Sequence, residues 1–153
     1  MPKRVMVFGT FDLLHYGHVR LLKNSKKLGG KDSELIVVIA RDSSVMKIKK
    51  IPPIYNEDQR MILISELKPV DKAVLGYEGP DKLRIVEEYK PNIIVLGYDQ
   101  KVSIEKLQSE LKKRGLPNVR IIRLEKYGDP DYNSSTKIRE KIIQNGKAIA
   151  NSH

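Results

Sequence analysis

The chain is predicted to fold as a single α/β domain, an open, doubly wound layer structure built on a five-stranded parallel sheet. Three observations carry that expectation. Short β-rich runs alternate with longer helical ones from end to end. Most of the short runs are nearly continuous apolar stretches, as strands buried on both faces of a parallel sheet are. Glycines and prolines stand at the junctions, where helices must stop.

Taken in order, Arg4–Phe8 (RVMVF) reads as the first strand, followed by a helix over His18–Leu28 that Gly29-Gly30 ends. Glu34–Ala40 (ELIVVIA) is the second strand. The next helix spans Glu57–Leu67; Asn56 with Gln59 three residues on resembles a capping box, and Pro69 blocks continuation. Lys72–Leu75 is the third strand, Asp81–Tyr89 a helix closed off by Pro91, and Asn92–Leu96 the fourth strand. Val102–Arg114 places Ile104, Leu107 and Leu111 on one helical face and stops at Gly115 and Pro117. Val119–Leu124 is the fifth strand, and a last helix occupies Ser135–Gln144. The domain is expected to take in residues 1–146, leaving 147–153 as a tail.

Composition narrows the function classes. The 153 residues hold 29 Lys+Arg against 19 Asp+Glu, a formal charge of +10, with 40% hydrophobic residues. That suits one domain with one core. The longest uncharged apolar stretch, Leu35–Ala40, is far too short to cross a bilayer. Lys3-Arg4 leads straight into a strand without a cleavable apolar segment, so a cytoplasmic protein is expected. The absence of cysteine removes disulfides, thiolate metal sites and thiol catalysis. The basic surplus suits either nucleic acid or a polyphosphate substrate. Lys and Arg are spread along the chain and Trp is absent, which does not resemble a nucleic-acid module with interleaved aromatics.

Open parallel sheets bind ligands beyond the carboxyl ends of their strands, where the strand order reverses. The unusual residues follow strands one, two, four and five. After the first comes GTFDLLHYGH, Gly9–His18. Gly9 admits a close approach to the backbone, and Thr10 and Phe11 expose N–H groups. His15 and His18 lie one helical turn apart, with Tyr16 and Gly17 between them. At a helix start the free N–H groups and the dipole favour an anion. A metal site of Asp12, His15 and His18 is the competing reading, but it leaves Gly9, Thr10 and Gly17 unexplained.

The segment resembles the H-x-G-H signature of the nucleotidyltransferase superfamily, which includes cytidylyltransferases, pantetheine-phosphate adenylyltransferase and archaeal FAD synthases. The resemblance implies a Rossmann-like nucleotidyltransferase fold in which the two histidines hold the α-phosphate and stabilise charge as pyrophosphate leaves. It also assigns the other segments. Lys47-Ile48-Lys49-Lys50 matches a lysine-bearing loop that closes over the triphosphate, making Lys47 and Lys49 candidate catalytic contacts. As an isolated cluster it would read as a solvated charged loop. Arg60 corresponds to a phosphate-contacting arginine early in a helix. Gly97-Tyr98-Asp99-Gln100 follows strand four, with Asp99 the expected ligand contact and an Asx turn its bland alternative.

The last segment runs from Tyr132 to Arg139. Three consecutive hydroxyls, Ser134, Ser135 and Thr136, open the final helix with Lys137 and Arg139 one turn inside, a phosphate cradle of N–H donors, hydroxyls and fixed charge. It closely matches the superfamily's I-S-[ST]-T-x-[IL]-R element for the β- and γ-phosphates. The preceding Tyr127–Asp131 stretch, with Tyr127 a nucleotide-contact candidate, lacks the lead-in of glycerol-phosphate cytidylyltransferases.

The likeness covers the chain from Val5 to the last helix. ARD after strand two, PVDKA before strand three, VLGYDQK after strand four and SSTKIR together look like the archaeal FAD synthase group. That implies transfer of AMP from ATP to FMN by in-line attack on the α-phosphate, giving FAD and pyrophosphate. A divalent ion, Mg²⁺ in expectation, would be held through substrate phosphates rather than by a protein site alone. Nucleic acid and membranes are not expected partners; a homodimer is, from the relatives. The alternative within the class is a CTP-dependent cytidylyltransferase acting on glycerol 3-phosphate or another small phosphate.

Overall fold

Along the first strand, β1 (Arg4–Gly9), Val5 and Val7 pack into one apolar layer and Met6 into the other. The same alternation holds in β2 (Glu34–Ile39), where Leu35, Val37 and Ile39 face one layer and Ile36 and Val38 the opposite one. A strand that is apolar at every position therefore builds two cores, one on each face. The computed structural model in which this is seen describes residues 2–125 and 135–151, with the backbone alone at 135 and 149–151.

Helices α1 (Tyr16–Gly29) and α3 (Glu57–Ser65) cover the first face through Leu22 and Ile64. Helices α4 (Arg84–Tyr89) and α5 (Ile104–Lys113) cover the second through Ile85, Val86 and Leu111. The remaining elements are α2 (Asp42–Lys49), β3 (Lys72–Leu75), β4 (Ile93–Leu96), β5 (Arg120–Arg123) and α6 (Ser135–Asn151). All five strands are parallel, in the order β3-β2-β1-β4-β5. The chain moves outward from β1 to β3, then crosses back to place β4 on the other side of β1. The reversal between β1 and β4 opens a crevice at their carboxyl ends, where this kind of sheet binds ligands.

The expected stop and start signals act as read. Asn56 Oδ1 accepts from the N–H of Gln59 at 2.8 Å while Gln59 Oε1 accepts from the N–H of Asn56 at 3.2 Å. Gly30 and Gly115 take φ of 91° and 78°, closing α1 and α5 in the left-handed range that glycine adopts without strain. Two elements differ from expectation. The Lys47–Lys50 segment, expected as a lysine-bearing loop, forms the end of a helix over Asp42–Lys49; Asp42 occupies the first turn and Lys50 closes the helix in the left-handed conformation. And α6 continues past Gln144 through Gly146 to Asn151.

Candidate active site

The crevice between β1 and β4 holds a cavity of about 310 Å³. Residues from each expected segment meet there: Gly9, Thr10, Phe11, His15, Gly17 and His18 after β1, Lys49 at the end of α2, Asp99 after β4, and Thr136 in α6. Separated by up to 127 positions in the chain, they are gathered because parallel strands deliver all their carboxyl ends to one edge.

The turn after β1 is built around aromatic packing. A Cβ on Gly9 would stand 2.6 Å from Cε2 of Phe11, so this glycine makes room for the Phe11 ring rather than for a ligand alone. Phe11 is buried, and its ring meets the His18 ring edge-on at a centroid distance of 5.1 Å. Phe11 and Leu13 hold φ of 54° and 49°, a left-handed conformation uncommon for bulky side chains. Such strain persists where surrounding contacts over-determine the backbone, and it clusters at ligand clamps and active sites.

His15 caps α1 and stacks on His18 with ring centroids 3.6 Å apart. The backbone N–H of His15 donates to His18 Nδ1 at 3.3 Å, so in the neutral ring the proton of His18 resides on Nε2. Burial, with smaller contributions from the neighbouring His15 and Lys49, pushes His18 down to about 3. Burial also lowers His15, against the opposing pull of Asp99. Both imidazoles are therefore neutral near pH 7. His15 Nδ1 is buried with no hydrogen-bond partner among the described residues, and so is Nε of Arg139. An unpaired buried polar atom costs about 1–3 kcal/mol.

Gln100 holds the far wall. Its Oε1 accepts from the N–H of Gly97 at 2.7 Å and its Nε2 donates to the carbonyl of Phe8 at 2.9 Å, tying the end of β4 to the end of β1. Arg123 on β5 donates to the carbonyl of Gln100 at 2.5 Å. The Gly97–Asp99 turn is thus pinned from both sides, with Asp99 facing the cavity.

Residues 6–141 match the family described as cytidylyltransferase-like. The chain belongs to the cytidylyltransferase-like family. Within it, the chain is 50% identical over 140 residues to the FAD synthase of Aciduliprofundum boonei, covering 92% of this chain and 90% of that protein. It is 52% identical over 141 residues to the FAD synthase of Thermoplasma volcanium, covering 92% and 94%. Among solved structures, one described as a lipopolysaccharide core biosynthesis protein from Thermoplasma volcanium superposes with a TM-score of 0.76 at 52% identity, over 82% of this chain and 98% of that one. A pantoate-beta-alanine ligase from Francisella tularensis superposes at 0.59 with 20% identity, over 90% of this chain and 65% of that one, and shares the fold.

Not every expected family position reaches the cavity. Arg60 is corrected: it is fully buried, and its guanidinium donates to the carbonyls of Tyr55 at 3.0 Å and Thr10 at 2.8 Å and pairs with Asp42 at 2.7 Å. Through these contacts it ties α2 and α3 to the β1 turn, and it is not among the residues that line the cavity. Lys47 does not line the cavity, whereas Lys49 does. Tyr16 is exposed, with the Arg20 guanidinium 5.9 Å from its ring centre, and lies outside the lining. Arg139 is not among the lining residues but pairs at 2.6 Å with Asp12, which is. Ser135 opens α6; Tyr127 and Ser134 lie outside the described residues. Sequence reasoning placed Gln100 in the segment after strand four but missed its clamp, which joins positions 92 residues apart.

Proposed function

We propose that the chain is an FAD synthase, transferring AMP from ATP to FMN with release of pyrophosphate. The observation that carries this reading is the cavity at the β1–β4 reversal, which two neutral histidines, Lys49, Asp99 and Thr136 line together. Relatives near 50% identity over nine-tenths of the chain that carry the name FAD synthase support AMP as the group transferred and FMN as the acceptor.

In the proposed step a phosphate oxygen of FMN attacks the α-phosphorus of ATP as the bond to the β-phosphate oxygen breaks, and pyrophosphate leaves with that electron pair. No covalent enzyme intermediate is required, so positioning and charge stabilisation carry the catalysis. His18 presents Nε2–H to the α-phosphate region, fixed in that tautomer by the backbone of His15. Lys49 supplies fixed positive charge from the end of α2, and Thr136 and Arg139 receive the triphosphate tail at the start of α6.

A divalent ion fits the site through one carboxylate. Among the described residues no group of three or more His, Cys, Asp or Glu converges, while Asp99 faces the cavity. Asp99 and substrate phosphates would hold the ion, which when bound neutralises phosphate charge. Among the described residues no helix is long and apolar enough to cross a membrane, and we place the reaction in the cytoplasm.

The test is label transfer. With Mg²⁺, FMN and ATP labelled at the α-phosphate, label should pass into FAD with none left on the protein. Label in a cytidylyl product from CTP and glycerol 3-phosphate, with none in FAD, would overturn the reading in favour of the cytidylyltransferase alternative.

A further inference from the structure

Asp12 lies in the turn that lines the cavity, yet its carboxylate is engaged with protein. It is 2% exposed. Its Oδ1 accepts from the N–H of Tyr55 at 3.0 Å; its Oδ2 accepts from the N–H of Ile54 at 2.7 Å and from Nη2 of Arg139 at 2.6 Å. These partners lie 42, 43 and 127 positions away. One carboxylate therefore joins the β1 turn to the segment that precedes α3 and to the first turns of α6. A buried carboxylate is tolerated only when paired and hydrogen-bonded, so this geometry is strongly specified.

The consequence for Arg139 follows from its shape. A guanidinium is a rigid planar fork of five N–H donors, so fixing one end aims the others. Asp12 holds Nη2, while Nε is buried and has no hydrogen-bond partner among the described residues. Thr136, one helical turn earlier, lines the cavity. The arginine is thus anchored by one arm on Asp12, a residue of the cavity lining, with a further donor in reserve.

We propose that Asp12 is a positioning residue: it holds Arg139 by Nη2 so that the remaining guanidinium donors meet the triphosphate, and it locks α6 against the β1 turn. The ligand in this statement rests on the adenylyl-transfer reading; the lock does not. The role assigned to Asp12 is exerted through Arg139 and the backbone it holds.

The experiment has two arms on the full-length protein: wild type, Asp12→Asn, Arg139→Gln and the double variant. The first arm is amide hydrogen exchange without ligand, which is independent of any reaction. Loss of the anchor should speed exchange in the first turns of α6 by about tenfold in either single variant, the scale of one lost charged hydrogen bond. The second arm is the KM for ATP and kcat in FAD formation. Asp12→Asn should raise KM for ATP by about tenfold with a smaller change in kcat, and should add no more than about twofold once Arg139 is already Gln. Asp12→Glu, which keeps the charge, should recover part of the loss. Unchanged α6 exchange in both single variants, or KM losses that multiply in the double variant, would overturn the proposal. If Asp12→Asn does not fold, Arg139→Gln decides through α6 exchange alone. If wild type makes no FAD, the reaction reading fails and the exchange arm still judges the lock.

Discussion

His15 and His18 stack with ring centroids 3.6 Å apart, and the backbone N–H of His15 donates to Nδ1 of His18. Two imidazoles so placed discourage each other's protonation, and burial pushes both in the same direction. The ligand-free site therefore keeps both rings neutral near pH 7.

This arrangement has a signature in stability. The pKa of His18 is about 3 in the fold against 6.5 in the unfolded chain, so between those values the unfolded state binds more protons. The His18 contribution makes stability fall as pH is lowered from about 6.5 towards 3 and leaves it flat above that window. Urea unfolding at pH 7 and pH 5 should show a smaller loss in His18→Asn than in wild type. Equal losses in the two proteins would contradict a depressed His18.

His18→Ala should remove a preorganised contact to the α-phosphate region and lower kcat by about 10²–10³. The thermal midpoint should stay close to that of wild type, because the ring is partnered mainly by residues of the same turn. A folded variant with near-normal turnover would remove His18 from the mechanism.

Lys47 and Lys49 are separable although two positions apart. Only Lys49 lines the cavity. Lys49→Ala should cut kcat/KM for ATP by about 10²-fold, the scale of one lost charge-stabilising contact, with Lys47→Ala within a few-fold of wild type. Steady-state pyrophosphate release distinguishes them, and the reverse ranking would show that the other lysine reaches the triphosphate.

Arg60→Ala should destabilise the protein by about 3 kcal/mol, because it leaves the carbonyls of Thr10 and Tyr55 and the carboxylate of Asp42 without their shared donor. A phosphate-contacting arginine on the surface would instead cost affinity and almost no stability. Denaturant unfolding and the KM for ATP, measured on the same variant, tell the two roles apart.

The strands were legible because burial on both faces writes itself as an unbroken apolar run, as in Leu35–Ala40. The helix caps were legible because a capping box and a terminal glycine act within four residues. The α2 helix was not. Only Val45 of its eight residues is buried, so it has no apolar stripe, and its first turn is held by contacts from Arg60 and Glu57 on α3. The roles of Asp12, Arg60 and Gln100 escaped for the same reason. Their partners are far off in the chain, and a lone charged or polar residue carries no mark of what it will meet. The histidine pair, the Lys47–Lys50 segment, Asp99 and Thr136 were singled out by the family resemblance and by lying where strand ends in such a sheet face one crevice.

The most direct test of the account is pyrophosphate release with Mg²⁺ in a grid of ATP or CTP against FMN, glycerol 3-phosphate or no acceptor. The account predicts release with ATP plus FMN, matched mole for mole by FAD, and background elsewhere. Release with CTP and glycerol 3-phosphate, without FAD in any well, would contradict it.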